Sequence, residues 1–438
     1  MRERFLQMFE RFKIRDFAIV FLGRGAGGVL NILFMLLAAR LLQSELFGLF
    51  ALSITVMHIG SQFAGQGMDT VLVRLYVLHS RDGSRQEASV LRSCLWVRVL
   101  LTVATVAIGG LLAEIYVRMT GRLELRLPLL FGFVGCALMS AWQYALSVLQ
   151  AREEYGRHSA LSLATNFLKI ALLGALVLAN RTDLPDLLNA NLAALGLGVA
   201  VSALAMPRRY FEAGMPLPDG ARHVFRYGRW VILSGLASIL YNRLDVLVLS
   251  AARSATEVGF YSATASLITG FDLLITALFV VFLPSASRIH DYADTIEYLK
   301  FSTAIASAAL ILPLLCFFFA QPLLLLTLGE GFRESVDLFR IMLPGFMIYL
   351  FTFPWALIIY SYNQPHLLFA TDVVVLAFAA VASLVFIPTH GMIAAAWINL
   401  CMRLLNSALI VFLVIRESRR LRDRGDVIVP ATGDLSIS

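Results

Sequence analysis

The chain has 438 residues, 59% of them hydrophobic and 15% charged, with a formal net charge of +7 and a mean hydropathy of +0.78. A soluble protein of this size is roughly 45–50% apolar and about 25% charged, so the surplus exceeds what one soluble core can bury and is read as facing lipid. The basicity comes from 33 arginines and only three lysines (Lys13, Lys169 and Lys300); a nucleic-acid binder shares that charge but not that hydrophobicity, which leaves membrane topology and contact with anionic lipid as its reading.

The segment from Met1 to Asp16 is charged, and no cleavage site follows the first apolar run. The first span is therefore expected to act as its own targeting signal. Twelve apolar runs are each near the ~20 residues a helix needs to cross the hydrocarbon core. In chain order they cover 17–39, 46–68, 91–113, 128–150, 160–179, 187–206, 231–251, 259–283, 301–320, 338–361, 366–387 and 391–415. No alternating ten-residue pattern suggests a β-barrel, so the expected class is an all-α integral membrane protein. With the N-terminus inside, the inner segments hold 23 Lys/Arg and the outer loops 8. That bias predicts both termini in the cytoplasm.

Two outer links resemble each other. One runs from Arg40 through Glu45, Phe47 and Gly48 to Phe50 and Ala51; the other runs from Arg253 through Glu257 and Gly259 to Tyr261 and Ala263. Each has an arginine, a short polar link, a glutamate, then glycine, an aromatic residue two positions on and alanine close behind. A duplicated unit is expected, and six spans per half make the repeat parallel. The reading is an N-terminal cytoplasmic segment (1–16), a six-helix bundle (17–206), a cytoplasmic linker (207–230) rich in proline and basic residues, a second six-helix bundle (231–415) and a disordered cytoplasmic tail (416–438).

Several chemistries find no support in the sequence. The four cysteines sit singly in apolar runs, and the histidines show no ligand spacing, so no metal site is expected. There is no phosphate-binding Gly-rich loop with Lys-Ser/Thr, which argues against ATP hydrolysis. The outer loops are all short, so there is no soluble domain to house catalysis, and the chain is expected not to be an enzyme.

The motifs in order resemble those of the polysaccharide transporter family of oligosaccharide flippases. That family lies within the multidrug, oligosaccharidyl-lipid and polysaccharide exporter superfamily. The resemblance is carried by Ala39-Arg40-Leu41-Leu42, Phe47-Gly48 and Gly67 to Arg74 in the first two spans, and by Asp245, Val258-Gly259-Phe260-Tyr261 and Pro284 to Arg288 in the seventh and eighth. Gly329-Glu330-Gly331-Phe332 follows between the ninth and tenth spans, and His390-Gly391 to Ala396 opens the last. An alanine stands where the family has a second glycine in that last motif. The resemblance implies two bundles facing a central cavity in a bacterial inner membrane. It implies translocation of a polyprenyl-diphosphate-linked oligosaccharide from the cytoplasmic to the periplasmic leaflet by alternating access, for O-antigen, lipopolysaccharide or exopolysaccharide synthesis. Membrane lipid, a polysaccharide polymerase and a chain-length regulator are the implied partners, with no nucleic acid. No cofactor is implied, and coupling to an H+ or Na+ gradient stays open.

A charge inside a span costs about 2.5–3.5 kcal/mol on insertion scales, so intramembrane charges are the default site candidates. Arg24 lies among glycines near the inner end of the first span, where snorkelling competes with a cavity role. Asp69 and Arg74, close in sequence at the end of the second span, stand at the inner mouth, where a structural ion pair and contact with the substrate are equal readings. Arg98 in the third span has the same two readings as Arg24. Lys169 lies mid-way along the fifth span beside Asn166 and needs a partner. Tyr241, Asn242, Arg243 and Asp245 lie mid-way along the seventh; two positions apart, Arg243 and Asp245 each have to meet another helix. Asp272 is central in the eighth span and is expected to pair with Lys169 or Arg243. Asp372 falls in the eleventh, and Arg403 joins Asn399 and Asn406 in a polar stripe down the twelfth. Arg24, Arg98, Lys169, Tyr241, Asn242, Arg243 and Arg403 are the candidate substrate ligands, since a guanidinium keeps its charge and forks onto phosphate oxygens. Asp245 and Asp272 are the candidate ion-coupling groups. A multidrug–cation antiporter of the same superfamily is the rival, but it would want acidic walls, and here five basic residues face three acidic. A membrane polysaccharide polymerase or ligase is the third reading, weakened by the short loops.

Overall fold

A computed structural model describes residues 14–65, 68–69, 72–73, 76, 84–205, 233, 235–286, 289, 292–362 and 365–424. These residues are helical apart from short links, with no strand among them. Ten helices among them are long and apolar enough to cross a membrane. Two of the ten are bent pairs. The first, α1 (Ile14–Gly65), breaks at Gln43 (φ 59°, ψ 178°), and the last, α13 (Pro365–Arg424), breaks at Gly391 (φ 62°, ψ −141°). Counting two passes for each gives the twelve expected, six in each of two compact units, Met1–Ile239 and Leu240–Ser438. The segment read as a linker, 207–230, lies outside the described residues.

In the first unit α1 packs against α3 (Arg126–Ala151) and α4 (Tyr155–Leu178), with α2 (Ser84–Thr120) and α5 (Leu184–Ala205) completing the bundle. Lipid tails are as apolar as leucine, so helices associate through close packing and internal hydrogen bonds. Gly132 of α3 leaves room for Val56 and the Ser53 carbonyl, and Gly60 of α1 abuts Cys136. Trp142 Nε1 donates to Thr165 Oγ1 at 3.2 Å, and Tyr144 donates its hydroxyl to the Leu91 carbonyl at 2.9 Å. The bend at Gln43 is held by its own side chain, which donates to the Arg40 carbonyl at 3.1 Å, and by the buried rings of Phe34, Phe47 and Phe50. On α2, Leu100, Val103, Ile108, Leu111 and Leu112 are all at least 60% exposed, which marks a lipid-facing wall.

The second unit is more broken. Its helices are α6 (Leu244–Ala252), α7 (Ala255–Gly270), α8 (Asp272–Ala286), α9 (Tyr292–Ala309), α10 (Ile311–Phe318), α11 (Ala320–Leu328), α12 (Ser335–Ser361) and α13. The seventh span is not one helix as expected: residues 235–241 are helical, Asn242 and Arg243 form a turn, and α6 restarts at Leu244. Asp245 explains the restart, because its carboxylate accepts the Val246 N–H at 2.7 Å, one of the donors that a helix start leaves unpaired. The eighth span breaks at Phe271, which places Asp272 in the first turn of α8 rather than mid-helix. Ser335 Oγ donates to the Phe260 carbonyl at 3.0 Å, tying α12 to α7, and Thr352 Oγ1 donates to Ser407 Oγ at 2.8 Å, tying α12 to α13.

The stretch from 416, read as a disordered tail, stays helical to Arg424. Glu417, 6% exposed, pairs with Arg416 at 2.7 Å and Arg420 at 3.1 Å. Ser418 shares a hydrogen bond with the Tyr362 hydroxyl at 3.0 Å, which also reaches Thr295 Oγ1 at 2.9 Å. Burial raises the pKa of the Tyr362 phenol above its ordinary value, so the proton in this chain stays in place. Residues 425–438 lie outside the described residues.

Candidate functional site

A cluster of ionisable and polar groups lies inside the second unit. Asp245, 3% exposed, opens α6 and receives the Tyr261 hydroxyl from α7. Tyr261 is fully buried. Asn399 of α13 lies close to both Asp245 and Tyr261. Arg403, one turn further along α13, donates Nε to Asn399 Oδ1 at 3.2 Å. The Arg403 guanidinium also lies over the rings of Phe346 and Tyr349, 5.7 and 5.6 Å from their centroids. Arg243 feels Asp245 and Asp272, and Asp272 feels Arg403 and Arg243.

Four charges, two of each sign, therefore lie in one polar island with Tyr261 and Asn399, within electrostatic reach of one another but, among the described residues, without a direct ion pair between them. The expectation that Arg243 and Asp245 each turn to another helix holds for Asp245, whose partners come from α7 and α13. Asp272 lies within electrostatic reach of Arg403 and Arg243 but, among the described residues, forms no ion pair with either. Lys169 belongs to the other unit. Tyr241 donates to Asp372 Oδ1 at 3.5 Å on α13, and Asn242 is exposed at the turn.

The first unit holds two separate constellations. Arg98, 3% exposed on α2, is engaged at every nitrogen: Nε to Ser140 Oγ at 3.0 Å, Nη1 to Asp69 Oδ1, and Nη2 to Gln143 Oε1 at 3.1 Å. Ser147 Oγ adds a bond to the same Asp69 oxygen at 2.7 Å. Asp69 finds a cation on α2, far along the sequence; the pairing with Arg74 raised by the sequence falls on a residue outside the described ones. An arginine saturated in this way holds α2 and α3 to the end of the second span. Lys169, 8% exposed on α4, donates to Asn31 Oδ1 at 3.4 Å and lies 5.8 Å from the centroid of the Phe34 ring. Among the described residues no carboxylate is within ion-pair distance of it. Arg24 lies within α1, and its side chain is outside the described residues.

Sequence reasoning missed Tyr261, Ser140, Gln143 and the second role of Glu257. Tyr261 is the aromatic residue of the second repeated link. Glu257 pairs with Arg253 at 3.0 Å, and its other oxygen accepts the Met392 N–H at 3.0 Å, just past the break in α13. Its counterpart Glu45 is exposed, so the two links resemble each other in sequence but differ in what their glutamates do.

The family model described as polysaccharide biosynthesis protein matches residues 37–337. The chain belongs to that family. No curated protein matches significantly. Among solved structures, an inward-facing multidrug resistance MATE family transporter of the MOP superfamily superposes with a TM-score of 0.72 at 12% identity, covering 91% of this chain and 96% of its own. The lipid II flippase MurJ in an inward closed conformation gives 0.71 at 13% identity, covering 93% and 90%. An outward-facing MATE transporter gives 0.55 at 13%, covering 94% and 96%. At these identities the likeness concerns the fold, which is that of the MATE and MurJ proteins. Within this polysaccharide biosynthesis family member, the two-bundle membrane fold and the polar island of the second unit are the features on which a function has to be built.

Proposed function

We propose that the chain is a flippase that carries a polyprenyl-diphosphate-linked oligosaccharide across a bacterial inner membrane by alternating access. The observation that carries this reading is the polysaccharide biosynthesis family match on a fold shared with a lipid II flippase. The shared fold has been captured both inward- and outward-facing, which supports alternation. A dianionic diphosphate needs cations in a low-dielectric path. In this reading Arg243 and Arg403 are the candidate cations of the second unit and Lys169 that of the first. Arg98 is committed to Asp69 and serves the scaffold.

The island also suggests how an ion gradient would act. While Asp245 and Asp272 are ionised they balance Arg243 and Arg403. A proton or Na+ arriving at a carboxylate leaves an arginine to the diphosphate, and its departure lets the carboxylate displace the phosphate. A cation antiporter would gain nothing from two arginines beside its carboxylates.

The test is translocation of a lipid-linked oligosaccharide by protein reconstituted in vesicles. A hydrogen bond to a charged group contributes about 1.5–3 kcal/mol, so Arg243→Ala, Arg403→Ala and Lys169→Met are each expected to slow flipping about 10- to 100-fold. Asp245→Asn is expected to abolish acceleration by an imposed gradient while basal flipping persists. If the three cation variants flip at the parental rate, or if the parent exports cationic dyes instead, the proposal is wrong.

A further inference from the structure

The end of α13 carries a second feature, independent of transport. The last aliphatic run stops at Ile415, and the segment that follows, 416–424, holds five arginines against Glu417 and Asp423, a net charge of +3. It is helical and held in place. Glu417 and Ser418 form the buried side, Ser418 through Tyr362 to Thr295, so α13 is tied to the end of α12 and the start of α9. With Glu417 and Ser418 turned inward, the helical repeat sets Arg416 and Arg419 on the opposite side and Arg420 and Arg422 along its flanks. Arg419, Arg420 and Arg422 are all exposed, Arg420 with 60% of its side chain accessible even though it pairs with Glu417.

A helical segment of this length rises about 13 Å, and the headgroup layer is about 5–8 Å deep on each side of the hydrocarbon. A helix leaving the hydrocarbon at Ile415 therefore carries Arg419, Arg420 and Arg422 through and just past the plane of the lipid phosphates. We infer that this basic end of α13 is a docking surface for anionic phospholipid headgroups of the adjoining leaflet. Charge and depth argue for that occupant: the arginines stand at the level of the phosphates, on the exposed side of the helix. The α2–α3 link differs in net charge: there Arg118, Arg122 and Arg126 face Glu114 and Glu124, a net of +1.

The experiment uses the full chain in nanodiscs of phosphatidylcholine with or without phosphatidylglycerol. Lipids retained after extraction are counted by native mass spectrometry, and melting is followed in both bilayers. The parent is expected to retain anionic over neutral lipid. Arg419→Gln/Arg420→Gln/Arg422→Gln should lose that selectivity by about fivefold per arginine while melting like the parent in pure phosphatidylcholine. Arg118→Gln/Arg122→Gln/Arg126→Gln removes the same charge and should change selectivity little. Should the first triple fail to fold, Arg419→Gln and Arg422→Gln are read singly, each expected at about fivefold. Three outcomes overturn the inference: unchanged selectivity in the tail variants, an equal loss in the loop variant, or displacement of the retained lipid by soluble inorganic pyrophosphate, which would make the surface a phosphate site and not a leaflet contact.

Discussion

Gly391→Ala is expected to destabilise the second unit by about 2 kcal/mol or more, an effect far larger than one methyl group normally has. Two causes add. The backbone at Gly391 (φ 62°, ψ −141°) lies in a region nearly closed to residues with a Cβ, which costs about 1–3 kcal/mol. A Cβ there would also overlap Glu257 Oε2 and stand 3.0 Å from Arg253 Nε. Glu257 cannot easily retreat, because one oxygen holds Arg253 and the other accepts the Met392 N–H. That bond places a negative charge at the start of the last pass, where helix donors are unpaired. The two causes can be separated by a double-mutant cycle on melting temperature in detergent. Glu257→Ala alone loses the bond to Met392. In the Glu257→Ala background, Gly391→Ala should retain its backbone penalty and lose its steric one, so the pair is less than additive. Melting of Gly391→Ala indistinguishable from the parent would show that the break does not need glycine.

The break at Gly391 was legible as the start of a span, since His390-Gly391 divides two apolar runs. So was the bend at Gln43, inside a polar link. Bilayer thickness makes this possible: hydrophobic length alone counts the passes. What hydropathy does not encode is rotation about a helix axis or the identity of a partner on another helix. Asp69 shows the limit. The cation it meets, Arg98, lies on the next helix, 29 positions along the chain. Tyr261 and Asn399 likewise reach Asp245 from other helices, Asn399 from the far end of the unit's sequence. The turn at Asn242–Arg243 was hidden for a different reason. The run around it is apolar enough to pass as continuous, and only the carboxylate of Asp245 at the new helix start betrays the break. Arg98 and Lys169 were both flagged as buried cations, and the sequence could not separate them. The structure does, because one is engaged by Asp69, Ser140 and Gln143 and the other, among the described residues, has an amide and a ring.

The Asp69–Arg98 pair yields the second large effect, and its direction follows from unequal burial. Arg98 has 3% of its side chain exposed, Asp69 37%. Breaking a buried pair costs about 3–5 kcal/mol when a charge is left in low dielectric without its partner. Asp69→Ala strands the guanidinium, with Ser140 and Gln143 as its remaining acceptors, and should approach that range. Arg98→Met strands a carboxylate that is one-third exposed and still receives Ser147, so its cost should be clearly smaller. The double variant Asp69→Ala/Arg98→Met should recover part of the loss of Asp69→Ala, since a thioether fills much of the volume of the arginine stem without a charge to solvate. Gly65→Ala provides an independent check, because its Cβ would overlap the Arg98 guanidinium in the parent but meet only a flexible methionine once Arg98 is replaced. It should therefore be costly alone and mild beside Arg98→Met. Thermal unfolding of these variants in one detergent measures all of this. An Asp69→Ala variant that melts above Arg98→Met would refute the assignment of the buried partner as the one that suffers.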